Sequence, residues 1–176
     1  RSFQRRNSIL IQDHINFTED RAVLHTCLRA PLDSKLHDTS KPEMKEIMKN
    51  VHDVLENIHG FSEKVRNGEW TGATGKKLNN LIVIGIGGSY LSIEFVYESL
   101  RSHPKYKELA AGRKIKFLAN VDPIDFDRAV EGTTFITSGL DVEETLILVN
   151  SKTFTTAETI LNAKSCKQWM INQYSK

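Results

Sequence analysis

Three short apolar runs punctuate the second half of the chain, at residues 81–84, 115–118 and 146–149. Each is rich in branched side chains, with Lys116 the one polar residue inside a run. Strands buried on both faces of a parallel sheet read this way. A polar loop and a helical pattern follow each run. After the first, Leu91, Phe95, Val96 and Leu100 recur at helical spacing. After the second, Asp122-Pro123 marks a helix start. After the third, Thr155 and Glu158 form a capping box that opens a helix through Ile160, Ala163, Cys166, Met170 and Tyr174. Strand, loop and helix three times over predict a doubly wound α/β sheet.

Residues 1–76 have a different pattern and read as a helical lead-in. Thr18 suits a helix N-cap, Glu19 and Asp20 suit its positive end, and Pro31 follows a stop after Arg29. Ser40 with Glu43 makes a capping box for a second helix, with Pro42 in its first turn. Met44, Ile47, Met48, Val51, Leu55 and Ile58 then keep helical spacing, and Gly60 or Gly68 ends it. Residues 70–75 read as a loop. The expected division is therefore a lead-in at 1–76 and an α/β domain at 77–176. Three strands are few for a doubly wound sheet, and the chain opens on Arg1 rather than Met. A domain truncated at its C-terminal side is expected.

Charge narrows the function classes. Acids and bases are interspersed and the formal net charge is only +2, which argues against a nucleic-acid-binding stripe. Arg1, Arg5 and Arg6 read as a solvated end. No apolar run approaches the 18 residues that a membrane span needs. Cys27 and Cys166 lie far apart without a CxxC spacing, so two free thiols in a reducing compartment are expected.

Two loops carry candidate chemistry. The first is Gly85-Ile86-Gly87-Gly88-Ser89, directly after the first strand. Glycines there let backbone N–H groups approach an anion, and the positive end of the following helix points at the same place. The second is Ser151-Lys152-Thr153-Phe154-Thr155-Thr156, between the third strand and its helix. Its four hydroxyls and one ammonium suit phosphate oxygens. Either loop has a plain structural reading as well, a tight βα turn for the first and an N-cap for the second. Topology favours the functional one. In the flavodoxin-like strand order 2-1-3, strands 1 and 3 are neighbours and ligands bind outside their carboxyl ends. The two loops would then face each other across one crevice.

Rival motifs fail on particular residues. Tyr90 stands where the dinucleotide fingerprint needs a third glycine or alanine. Asp122 mimics a ribose-binding acid, but Pro123 follows at once and an N-cap is the better reading. Lys152-Thr153 lacks the spaced glycines of a Walker A loop. Nothing resembles a magnesium site. His52 and His59 are seven apart, where helical zinc pairs sit three or four apart, so they read as surface or boundary residues. Neither a metal nor a cofactor is expected.

Three motifs together resemble the glucose-6-phosphate isomerase family. They are Ile15-Asn16-Phe17-Thr18-Glu19-Asp20-Arg21-Ala22-Val23-Leu24-His25, Ile84-Gly85-Ile86-Gly87-Gly88-Ser89, and Ser151-Lys152-Thr153-Phe154-Thr155-Thr156-Ala157-Glu158-Thr159. Their order and separation are specific, and the resemblance covers essentially the whole chain. It implies a sugar isomerase (SIS) domain, a three-layer α/β/α sandwich around a parallel sheet, preceded by helices of a larger neighbouring domain. It implies that Gly88, Ser89, Ser151, Lys152, Thr153, Thr155 and Thr156 hold the phosphate of glucose 6-phosphate or fructose 6-phosphate. A homodimer in the cytoplasm is implied for the full-length enzyme. The sequence departs from the family pattern at Tyr90, Ser92 and Ala119. Arg21 and His25, four apart on one helical face, read as structural contacts.

Aldose–ketose interconversion needs a base to move a proton between two carbons and an acid/base group to open the ring. Neither loop offers a carboxylate or imidazole for this. The resemblance places the catalytic glutamate, histidine and lysine beyond this chain's end, so no catalytic residue is assigned. A non-catalytic SIS-type module that senses sugar phosphates is the alternative, and a dinucleotide enzyme is a remote third reading. The lead-in around Thr18 and His25 favours the isomerase fragment over a stand-alone sensor.

Overall fold

The computed structural model describes residues 18, 20, 24–34, 42–131 and 139–175. The chain forms two compact units, Arg1–Glu63 and Lys64–Lys176.

In the first unit, helix α1 spans Pro42–Asn67 and continues into the second. It begins at Pro42, whose missing N–H costs nothing in a first turn. It runs through Gly60 and stops before Gly68, where φ is 83°. Met44 and Met48 are buried with Cys27 and Ala30, flanked by Leu24, Ile47 and Val51. The apolar stripe expected along α1 is thus used only in its first half, since Leu55 and Ile58 are exposed. The His52 ring lies 3.1 Å from the Ala30 carbonyl oxygen, a boundary histidine satisfied by backbone. The helix expected to run from Thr18 to Arg29 is not one in its described part. Thr18 and Asp20 lie in turns, Asp20 has φ 50°, and Cys27–Arg29 is a single 3-10 turn. A positive φ interrupts a helix, and the 3-10 turn ends at Ala30, which is already extended before Pro31. The Ser40 half of the capping box, Glu19, Arg21 and the Arg1, Arg5 and Arg6 cluster lie outside the described residues.

The second unit is α/β, as the three apolar runs predict. Strands β1 (Asn80–Ile84), β2 (Lys114–Leu118) and β3 (Thr145–Val149) pair in parallel in the order β2-β1-β3. Each strand starts one residue earlier than its apolar run. Ile84 is in register with both Leu118 and Val149. Helices α2 (Gly88–Leu100), α3 (Pro104–Leu109), α4 (Pro123–Val130) and α5 (Ala157–Tyr174) complete the unit.

Strand periodicity sorts the layers. Ile82, Ile84 and Leu118 share one face and are fully buried with Ala129 and Val130 of α4 and Cys166 of α5. Burial of an aliphatic side chain of this size is worth about 1.5–3 kcal/mol. The other face presents Val83 and, in register with it, Phe117. There α2 packs, with the Tyr90 and Tyr97 rings edge-on to Phe117 at centroid distances of 5.6 and 5.7 Å. Helices therefore cover both faces. Leu148, on the same face as Val83 and Phe117, is 43% exposed. No helix among the described residues is long and apolar enough to cross a membrane.

Candidate phosphate site at the carboxyl ends of the strands

Both anion-friendly loops leave the carboxyl ends of neighbouring strands. The first follows β1. Gly87 adopts φ 59° and ψ −129°, a conformation that glycine alone reaches without strain. It starts α2 by accepting the Leu91 N–H at 2.8 Å. The amides of a helix's first turn have no intrahelical partner; here those of Ser89 and Tyr90 are turned back onto the Ile86 and Gly87 carbonyls at 3.3 and 3.1 Å. A Cβ on Gly87 or Gly88 would meet nothing within 4 Å, so this part of the loop borders open space. Gly85 is the reverse case. It is buried, and a Cβ there would sit 2.8 Å from the Ser89 carbonyl oxygen and 3.2 Å from that of Asn150.

The second loop follows β3. Asn150, between β3 and this loop, extends the ladder by donating its N–H to the Ile84 carbonyl at 2.8 Å. Ser151 is half-buried, and its Oγ accepts the Phe154 N–H at 3.0 Å. That bond closes a turn in which Phe154 takes φ 55°. The hydroxyls of Thr153 and Thr155 lie 2.6 Å apart. Lys152, Thr153, Thr155 and Thr156 are exposed. Thr156 is the N-cap of α5, but its side chain makes no capping bond. The expected Thr155–Glu158 capping box is thus corrected. The helix starts one residue later than a Thr155 cap requires, and the Thr155 hydroxyl is engaged with Thr153 instead.

A side chain that the sequence did not single out ties the loops together. Asn150 Nδ2 donates to the Ser89 carbonyl oxygen at 2.6 Å. Nothing local in the sequence signals it, because the partner lies 61 residues away. A second asparagine, Asn162 of α5, is buried and donates to the Asn120 carbonyl at 2.9 Å. It attaches α5 to the loop after β2. Among the sequence-predicted residues, Gly88 and Ser89 open α2 on one side, and Ser151, Lys152, Thr153, Thr155 and Thr156 form the other.

Local contacts give the residues of the rival motifs structural roles. Asp122 is an N-cap whose carboxylate accepts the Ile124 N–H at 2.9 Å. Asp125 accepts the amides of Ala119 and Asn120, both at 3.0 Å. Tyr90 fills the space against Phe117 where a dinucleotide fold keeps a small residue. A hydrogen bond to the Glu94 carboxylate, with burial second, pushes its hydroxyl up to about 12. Ser92 bonds back to the Gly88 carbonyl at 2.6 Å. Among the described residues, no three His, Cys, Asp or Glu side chains converge as metal ligands. A cleft of about 430 Å³ lies by Val142, Glu131, Asp141 and Trp169. Val142 precedes β3, so this cleft is at the strands' amino ends, and its carboxylates suit no phosphate.

Comparisons with known proteins identify the family. The sequence model of the phosphoglucose isomerase family matches residues 2–176. The cytosolic glucose-6-phosphate isomerase of Oenothera sinuata var. hirsuta is 50% identical over 158 residues, which is 90% of this chain. The cytosolic glucose-6-phosphate isomerase 1 of Clarkia arcuata is 49% identical, and the cytosolic glucose-6-phosphate isomerase of Arabidopsis lyrata subsp. petraea 48% identical, over the same length. The matched region is 26% of each of these relatives, so the chain spans about a quarter of their length. With a family match over nearly every residue and both loops in place, the chain belongs to the phosphoglucose isomerase family.

Proposed function

We propose that this chain is the phosphate-holding part of a glucose-6-phosphate isomerase, which interconverts D-glucose 6-phosphate and D-fructose 6-phosphate. The single observation that carries the reading is the pairing of the loops. Two segments rich in anion donors leave adjacent parallel strands at the topological switch point and are bonded to each other. In this reading the Gly88 amide at the start of α2 supplies a backbone donor and helix-end potential, while the Ser89 N–H is already given to the Ile86 carbonyl at 3.3 Å. The hydroxyls of Ser89, Ser151, Thr153, Thr155 and Thr156 donate to phosphate oxygens, and Lys152 adds a compact charge. No cofactor or metal has a part in it. The loops hold no catalytic base, so proton transfer and ring opening belong to other segments of the enzyme. We further propose a helical lead-in over 1–76 ahead of the sugar-phosphate domain at 77–176, with residues 64–76 as the join. For the whole enzyme we propose a cytosolic homodimer, in line with the cytosolic names of the relatives.

Titration of the isotopically labelled chain with inorganic phosphate, at constant ionic strength, tests the site. The amides of Gly87, Gly88, Ser89 and residues 151–156 are expected to shift together, and glucose 6-phosphate to compete. If those amides stay still while others move, the site is misplaced.

A further inference from the structure

We infer that Asn150 is a positioning residue for this site, its side chain setting the spacing between the two phosphate loops. The inference rests on the phosphate reading above and adds to it a residue outside both motifs. Asn150 lies between β3 and Ser151, so its main chain leads directly into the second loop. Its N–H is spent on Ile84, which fixes its backbone to β1. Its carboxamide reaches across to Ser89 O at 2.6 Å. A carbonyl only accepts, so the partner identifies the NH2 end of the amide without ambiguity. Ser89 is the second residue of α2 and brings its hydroxyl to the site beside the Gly88 amide, its own N–H closing the turn on the Ile86 carbonyl. One hydrogen bond, reached through two side-chain torsions, thereby links the donors of the first loop to those of the second. Gly85 makes the approach possible, because any Cβ there would strike the Ser89 and Asn150 carbonyls.

The consequence for binding is preorganisation. With the bond present, the amides of α2 and the 151–156 loop are already held at one separation. Without it, the ligand itself must order them, and that ordering is subtracted from affinity. A bond that only stabilised the fold would behave differently. Its loss would lower the melting temperature and leave the affinity of the folded molecules unchanged.

Asn150→Ala in the 176-residue chain separates the two. Dissociation constants for inorganic phosphate are read from folded-state amide peaks, and melting temperatures are taken without phosphate. The variant is expected to bind about fivefold more weakly, with the Gly88 and Ser89 amides shifting less while those of 151–156 still respond. Asn150→Ser, whose hydroxyl is too short to reach Ser89, gives the same readout where alanine does not fold. In the unsubstituted chain, the Asn150 side-chain NH2 signals are expected to move with the same midpoint as Ser89. Unchanged affinity in a folded variant, or NH2 signals that stay still while Ser89 moves, overturns the inference and leaves the phosphate site standing. An unsubstituted chain whose loops do not respond to phosphate overturns the site, and this inference with it.

Discussion

At Gly87 and Phe154 the backbone enters positive φ, at 59° and 55°, one in each loop. Glycine holds such a conformation freely, whereas a side chain in the left-handed region costs about 1–2 kcal/mol. Phe154 is 57% exposed, so little packing offsets that cost. Phe154→Gly is therefore expected to leave urea stability within about 1 kcal/mol of the parent or to raise it. Gly87→Ala meets no steric neighbour, yet is expected to lose about 1–3 kcal/mol through backbone strain alone. A Gly87→Ala variant as stable as the parent would mean that the turn is not held at this conformation in solution. Side-chain chemistry sorts the ligand groups in the same way. In the full-length enzyme, Lys152→Ala is expected to weaken sugar-phosphate binding more than Thr155→Ala. A charge-assisted bond is worth about 1.5–3 kcal/mol and a neutral hydroxyl bond about 0.5–1.5. The Thr155 hydroxyl also has a partner already in Thr153. Equal losses in a calorimetric comparison would contradict these roles.

Between elements, the segment after α1 is held to the turn before β3 by one lysine. Lys76 Nζ bonds the Asp141 carboxylate at 3.1 Å and also the Glu143 carboxylate. Asp141 is held below the usual carboxylate range by the Glu143 N–H first and Lys76 second, and Glu143 by Lys76 and then Thr74. Lys76 is held above the usual lysine range by the same two acids, Glu143 first. A depressed carboxylate stabilises the fold above its unfolded pKa, and that contribution disappears as pH falls through the folded value. The raised lysine stabilises below its unfolded pKa, and its contribution is lost as pH rises through the folded value. The clamp is thus complete between about pH 5 and 10. All three side chains are solvent-accessible, so the effect is small and screened by salt. Lys76→Met is expected to lower the melting temperature slightly at pH 7 and not at pH 3; an equal difference at both would assign the loss to packing. None of this was legible in the sequence, since Lys76 and Asp141 are 65 residues apart. The strands were legible because each carries a short, mostly apolar run between polar loops, although Lys116 interrupts the run of β2 and Leu148 of β3 is 43% exposed. The same holds for Asp122, whose cap is local to Pro123. Asn150 was not, because its role exists only once Ser89 is folded beside it. Thr155 misled because two adjacent threonines offer the same capping signal and only the start of α5 chooses Thr156.

Taken as one molecule, the chain carries the proposed phosphate site and no assigned catalytic base. Hydroxyls, amides and one ammonium can hold a phosphate. Gross attraction from a few bonds at about 1–3 kcal/mol each reaches roughly 5–8 kcal/mol. Lost freedom and loop ordering oppose it by at least about 4 kcal/mol. The remainder, at most about 4 kcal/mol, puts the dissociation constant at about millimolar at its tightest, weakened by salt because one partner is an exposed charge. Moving a proton between the first two carbons of the sugar demands a base within hydrogen-bond reach of that proton. Carboxylates that follow the carboxyl ends of β1 and β2 have other work. Glu94 holds the Tyr90 hydroxyl, Asp122 caps α4, and Asp125 accepts two main-chain amides. Glu158 lies in the first turn of α5, where it faces the helix's positive end. Lys152, if it neutralises the phosphate, is not available as a proton acceptor. Grip on the phosphate lowers the free energy of substrate and transition state alike and so does not accelerate the step between them. The purified chain is therefore expected to bind glucose 6-phosphate without converting it. In an assay coupled to fructose 6-phosphate removal, the rate should stay at the uncatalysed level at every chain concentration. A rate that rises in proportion to the chain, and that falls with Lys152→Ala in the same preparation scheme, would show that a base and a ring-opening group are present after all.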